Sequence, residues 1–275
     1  MLLLLTTLLA YGAEEWRLVD AQPKHARHPV LLVVTPGYDP AAYEPLTEFL
    51  VKKGRDVHVL SFYCLPYSSE QITRGLEEAA STMPDGFTVV AHGIGALLPL
   101  LIDDQLDVDQ YVFLGPTLAT HSSAAAEKAM LGSAGPEMDL TVSIDQWKSG
   151  RSVDISVPRL FGDADVASVL LGSNPPLQDC ASGPVAAELQ DWYQAGRPPI
   201  DYTKITTPVW IGVGLFDRLA PVEALIPASR ELPNRELIRL GITRLDARDL
   251  DHLGLLRDKI AAKAAAKAVK KGAGL

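Results

Sequence analysis

Three places in this sequence set groups able to do chemistry beside turn signals. Asp217 follows an apolar run at 208–213 in Gly214, Leu215, Phe216, Asp217, and Pro221 opens the amphipathic stretch behind it. His252 stands in Asp249, Leu250, Asp251, His252, Leu253, Gly254, between an apolar run at 237–240 and an alanine-rich stretch. A carboxylate that holds an imidazole can make it a general base toward water or a carbon acid. The third place is Ala91, His92, Gly93, Ile94, Gly95, where an apolar run at 87–91 turns into the apolar residues 96–101. No serine, cysteine or aspartate lies between positions 87 and 102, so that turn brings no side-chain nucleophile of those kinds. A further turn, Thr35, Pro36, Gly37, Tyr38, Asp39, closes an apolar run with the Pro-Gly pair that marks turns of every kind. Of the other histidines, His25 and His28 lie near the N-terminus, His58 belongs to a strand interior and packs there, and His121 falls in an irregular middle region.

Elements must hold these residues apart and bring them to one place. From Pro29 onward, short apolar runs alternate with longer amphipathic segments, the pattern of strands and helices in a mostly parallel sheet. Residues 30–35 read as a strand covered on both faces, 41–53 as a helix stopped by Gly54, and 57–62 as the next strand. Ser68 or Ser69, with Glu70 and Gln71 behind, starts a helix running to about Thr82. Strands are expected at 87–91 and 111–114, with a helix beginning near Ile94 between them. Beyond residue 206 the alternation returns as a strand at 208–213, a helix at 221–231, a strand at 237–240 and a helix at 255–271. Between about 117 and 206 it lapses into a stretch rich in glycine, proline and serine. Structureless loops of that length are rare in compact domains, which predicts an inserted cap with helices of its own, the clearest at 184–195.

With 275 residues, 47% of them hydrophobic, the chain can bury one large core, so one domain with an insertion is expected. Its 25 basic and 34 acidic residues leave a net charge of -9, which excludes the electrostatic footprint that nucleic acid requires. Lys263, Lys267, Lys270 and Lys271 are the one basic concentration; set among alanines, they read as a solvated helix end. Residues 1–10 are an apolar run broken by Thr6 and Thr7, with Gly12 and Ala13 behind. This reads as a short signal peptide over 1–13, too short to span a bilayer, in an exported or periplasmic protein. The alternative is a buried or membrane-touching segment of a cytoplasmic one. No later stretch reaches transmembrane length without a charge, so no stable membrane span is expected. Cys64 and Cys180 allow one disulfide in an exported protein, or two reduced thiols, and their spacing matches no zinc site. No metal and no cofactor are expected.

The turn at 91–95, Asp217 and His252, in that order along the chain, resemble the α/β-hydrolase family. Its nucleophile sits in GxSxG, where small neighbours allow a strained strand-to-helix bend. Here the matching residues carry Gly93 at the nucleophile's place. The resemblance implies an α/β-hydrolase fold, a mostly parallel twisted sheet flanked by helices, with its core at 14–116 and 207–275 and the cap at 117–206. It implies Asp217 as the acid and His252 as the general base, with the amides of Tyr38 and Ile94 as oxyanion donors and Gly37 and His92 beside the binding site. His92 fills a position often occupied by histidine in relatives and is read as structural. Asp251 departs from the glycine frequent before the family's histidine. The resemblance covers roughly residues 29–256, and the cap carries none of its specificity.

Glycine cannot form an acyl-enzyme, and removing a triad nucleophile costs on the order of 10^4 to 10^6 in turnover. The expected protein is therefore a degenerate hydrolase that keeps an Asp/His dyad and an oxyanion-type loop and binds a small, partly apolar molecule. Three other readings stand beside it. Asp217 and His252 could work as a general base without a covalent intermediate. An active esterase or lipase could draw its nucleophile from elsewhere, such as Ser122 or Ser123 in the cap. Gly93 could also be a substituted position of an otherwise active enzyme.

Overall fold

Apolar runs with no polar face need cover on both sides, and they become the strands of one sheet. The computed structural model describes residues 16–21, 28–35, 40–62, 69–83, 86–116, 118, 200–214, 217, 220, 222–240 and 254–272. The strands are β1 (Trp16–Ala21), β2 (Pro29–Val33), β3 (Asp56–Phe62), β4 (Phe87–His92), β5 (Val108–Leu114), β6 (Val209–Gly214) and β7 (Arg235–Leu240). They lie in the order β1-β3-β2-β4-β5-β6-β7. The six strands from β2 to β7 pair in parallel, and only β1 runs antiparallel, on β3. Every residue of β2, β4 and β6 is buried, as the uninterrupted apolar runs predict.

Register brings the carboxyl ends of the parallel strands to one edge. Val33 pairs with Ala91, His92 with Leu114, Leu114 with Gly212, and Gly214 with Leu240. The ladder continues past β5, where the Gly115 N–H donates to the Gly212 carbonyl at 2.8 Å. The chain therefore leaves β2, β4, β6 and β7 along the same rim.

Helices cover the sheet: α1 (Glu44–Lys52), α2 (Ser69–Ser81), α3 (Leu97–Leu100), α4 (Val222–Glu231), α5 (Gly254–Arg257) and α6 (Lys259–Gly272). α6 lies against β5 and β6 and touches α1 and α5, while α2 packs on β3 and α4 on β7. Its sheet-facing side is built of small residues, Ala261, Ala262, Ala265 and Val269, which let the helix approach closely; Lys259, Lys263, Lys267 and Lys270 are exposed. Lys263 stands in the first half of this helix, so only the later lysines meet the negative end of its dipole.

Four features differ from the sequence expectation. β1 is an added edge strand; Arg17 and Asp20 interrupt its apolar residues, and an edge strand needs cover on one side only. The helix expected at 41–53 begins as a 3-10 turn, Pro40–Tyr43, before α1. The helix expected near Ile94 is instead a 3-10 turn, Gly93–Ala96, followed by the single turn α3. A proline fits only the first turn of an α-helix, so one containing Pro99 cannot begin that early. The last helix is broken at Asp258, whose carboxylate accepts from the Ile260 N–H at 2.5 Å and restarts it as α6. The expected signal segment 1–13, Cys64 and Cys180 lie outside the described residues, as does the expected cap, apart from Leu118 and the stretch at 200–206. Among the described residues, no helix is long and apolar enough to cross a membrane.

Candidate functional site

β4 is flanked by β2 and β5, and its last residue, His92, delivers the chain to Gly93 at the carboxyl edge. Gly93 is buried and has φ of 56°. That is the left-handed region, where a Cβ meets the backbone and a non-glycine residue is strained by roughly 1–2 kcal/mol. Glycine adopts it freely. The main chain then tightens into the 3-10 turn that contains Ile94 and Gly95.

The glycine two residues on has a different cause. A Cβ at Gly95 would stand 3.0 Å from the Thr35 hydroxyl, 3.1 Å from its Cα and 3.2 Å from its nitrogen. The end of β2 and the turn after β4 are in main-chain contact there, closer than a side chain readily permits.

Thr35 itself is fully buried, just past β2. A hydroxyl in that position needs partners. Its Oγ1 donates to the His92 carbonyl at 2.5 Å, and its N–H donates to the Tyr43 hydroxyl at 3.0 Å. The Tyr43 hydroxyl in turn donates to Thr35 Oγ1 at 3.0 Å. The Tyr43 ring meets the imidazole of His92 edge-on, with centroids 6.2 Å apart and planes at 81°. Both rings are wholly buried. The His92 ring is therefore packed against Tyr43 in the interior.

Asp217 comes three residues after β6, and only 4% of it is exposed. Its N–H donates to the Gly214 carbonyl at 3.2 Å, and its Oδ1 accepts from the Ala220 N–H at 2.7 Å. The carboxylate thus shapes the turn that leads to α4. β5 separates β4 from β6, so the ends of those two strands are about 10 Å apart, two strand spacings.

Of the residues singled out from sequence, Gly93, Ile94, His92 and Asp217 stand at this edge. Gly37, Tyr38, His252, Ser122 and Ser123 lie outside the described residues. Sequence reasoning missed Thr35 and Tyr43 as site residues. The available signal was a threonine closing an otherwise apolar run, since a buried hydroxyl must be answered. Among the described residues, no group of three or more His, Cys, Asp or Glu side chains could hold a metal ion.

No family model matches this sequence, and no curated protein matches it. Solved structures do. A structure of carboxylesterases from the ammonia-oxidizing thaumarchaeon Nitrososphaera gargenis is similar at 14% identity and a TM-score of 0.62, over 94% of this chain and 95% of that one. The monoacylglycerol lipase of Paleococcus ferrophilus is similar at 14% identity and a TM-score of 0.59, over 95% of this chain and 99% of that one. A thermophilic esterase from Thermogutta terrifontis gives 14% identity and a TM-score of 0.57, over 93% and 92%. Identities this low define the fold, and the fold is that of the α/β-hydrolases.

Proposed function

We propose that this protein is a degenerate α/β-hydrolase that binds a small, partly apolar molecule at the carboxyl edge of its sheet and has lost covalent catalysis. The observation that carries the reading is the main chain at Gly93. It keeps a left-handed bend at the end of β4, with φ of 56°, and presents no side chain there. Glycine enforces no conformation of its own, so the bend is held by its surroundings. Asp217 is the buried acid of this reading and His252 its partner, with the Ile94 and Tyr38 amides as anion donors. The spacing of about 10 Å between the ends of β4 and β6 leaves room for an imidazole between them. Similarity to esterases and a lipase points to ester-like small molecules as the ligand class.

Gly93→Ser is the decisive experiment. Hydrolysis of short p-nitrophenyl esters should rise on the order of 10^4-fold over the parent protein, the scale of a restored triad nucleophile. His252→Ala in the same background should abolish the gain. A folded Gly93→Ser protein with no esterase activity would remove Asp217 and His252 as a preserved dyad. Fluorophosphonate should leave the parent protein unlabelled; covalent labelling would mean that a nucleophile reaches the site from elsewhere. Native mass spectrometry after gentle purification should reveal a retained small molecule.

A further inference from the structure

The bend at Gly93 is held from outside β4. Thr35 lies just past β2, and Tyr43 closes the 3-10 turn Pro40–Tyr43 before α1. The two residues are bonded to each other twice: the Thr35 N–H donates to the Tyr43 hydroxyl, and that hydroxyl donates to Thr35 Oγ1. Thr35 Oγ1 passes the chain of hydrogen bonds on to the His92 carbonyl. That carbonyl belongs to the peptide whose nitrogen is Gly93, so its direction sets the plane from which the bend begins. All three residues are completely buried, so water cannot substitute in these bonds, and bonds in series in a low dielectric reinforce one another.

We infer that Thr35 and Tyr43 are positioning residues that clasp the His92–Gly93 peptide from outside β4 and so set the bend from which the 3-10 turn Gly93–Ala96 begins. The close approach at Gly95 is the second half of the clasp, since it seats the turn directly on the Thr35 main chain. Thr35 and Tyr43 act through the turn and not on the ligand. The same arrangement explains why the bend persists around a glycine: its shape is imposed by β2 and the 3-10 turn before α1, whatever residue stands at 93. The inference concerns the site proposed above, and its activity readout rests on that reading.

Amide hydrogen exchange tests the clasp without any catalytic assumption. Thr35→Val keeps the shape and removes the hydroxyl. It should accelerate exchange at residues 93–97 about tenfold more than at residues 88–91 of β4, and Thr35→Ser should return the parent pattern. Equal acceleration in both segments, or none at 93–97, overturns the inference. Should Thr35→Val fail to fold, Tyr43→Phe decides by the same comparison, because it removes the shared hydroxyl and keeps the ring beside His92. In the Gly93→Ser background, Thr35→Val should lower kcat about tenfold with KM unchanged, and Thr35→Ser should not; an unchanged kcat also overturns the clasp. An inert Gly93→Ser protein would count against the dyad alone, since the exchange comparison still decides on Thr35 and Tyr43.

Discussion

The two edges of the sheet use polar side chains with different emphasis. At the amino edge several bonds run from side chain to side chain. His28 Nε2 lies 2.9 Å from Thr88 Oγ1, tying the start of β2 to β4. His58 Nδ1 lies 2.6 Å from Asp20, which pins the antiparallel edge strand β1 to β3, and its Nε2 lies 3.6 Å from Asp56 within β3. The Tyr111 hydroxyl donates to Asp103 at 2.8 Å and the Thr207 hydroxyl to the same oxygen at 3.1 Å. At the carboxyl edge the Thr35 hydroxyl and the Asp217 carboxylate bond main-chain atoms of turns, beside the one Thr35–Tyr43 hydroxyl pair described above. Side-chain pairs hold elements together; side-chain bonds to main chain hold a turn in one shape. The contrast separates a rim built for stability from a rim built for conformation.

Mutations at the two rims should then have different signatures. Asp103→Ala strands the buried Tyr111 hydroxyl, an expected loss of about 1–3 kcal/mol in urea unfolding, with exchange at residues 93–97 unchanged relative to β4. Altered exchange at 93–97 alone would break the contrast. Gly95→Ala forces a methyl against the Thr35 main chain at 3.1–3.2 Å. It should cost about 1–2 kcal/mol and loosen residues 93–97 selectively. Asp217→Ala removes the acceptor for the Ala220 N–H and should cost about 1 kcal/mol, read as a lowered thermal midpoint at pH 7. Asp217→Asn keeps an acceptor oxygen and should lose less.

The smallest effect is expected from pH at the amino edge. Burial lowers the pKa of His28 from its ordinary 6.5, with Asp109 opposing the shift and Arg55 assisting it. The unfolded chain therefore binds a proton at higher pH than the folded one. The stabilisation from a neutral His28 is present above pH 6.5 and is lost as pH falls toward the folded pKa. Thermal midpoints measured from pH 7.5 down to 5.5 should fall, and His28→Gln should flatten that slope. An equal slope in the variant would assign the pH dependence to other groups.

Most of the sheet was legible in the sequence because its inner strands are buried on both faces and so read as unbroken apolar runs. β1 was not legible, since an antiparallel edge strand needs only a weak alternation and takes its register from β3. The one-turn α3 was masked by an apolar composition that suits a long helix, although Pro99 was there to exclude an early start. At the site, the two glycines after His92 and the proline after Asp217 marked the turns. Thr35 and Tyr43 escaped notice because a hydroxyl's partner is a matter of tertiary distance: Thr35 reaches a carbonyl 57 residues away.

The brevity of α3 limits how strongly this rim can attract negative charge. A macrodipole grows from many peptide groups aligned head to tail, and four residues supply only a small fraction of the half-charge of a long helix. An anion resting on the Ile94 amide would feel individual N–H groups and little collective field, within a molecule that already carries a net charge of -9. On the proposed reading of this rim, uncharged, polarisable occupants such as esters or amides suit it better than free carboxylates.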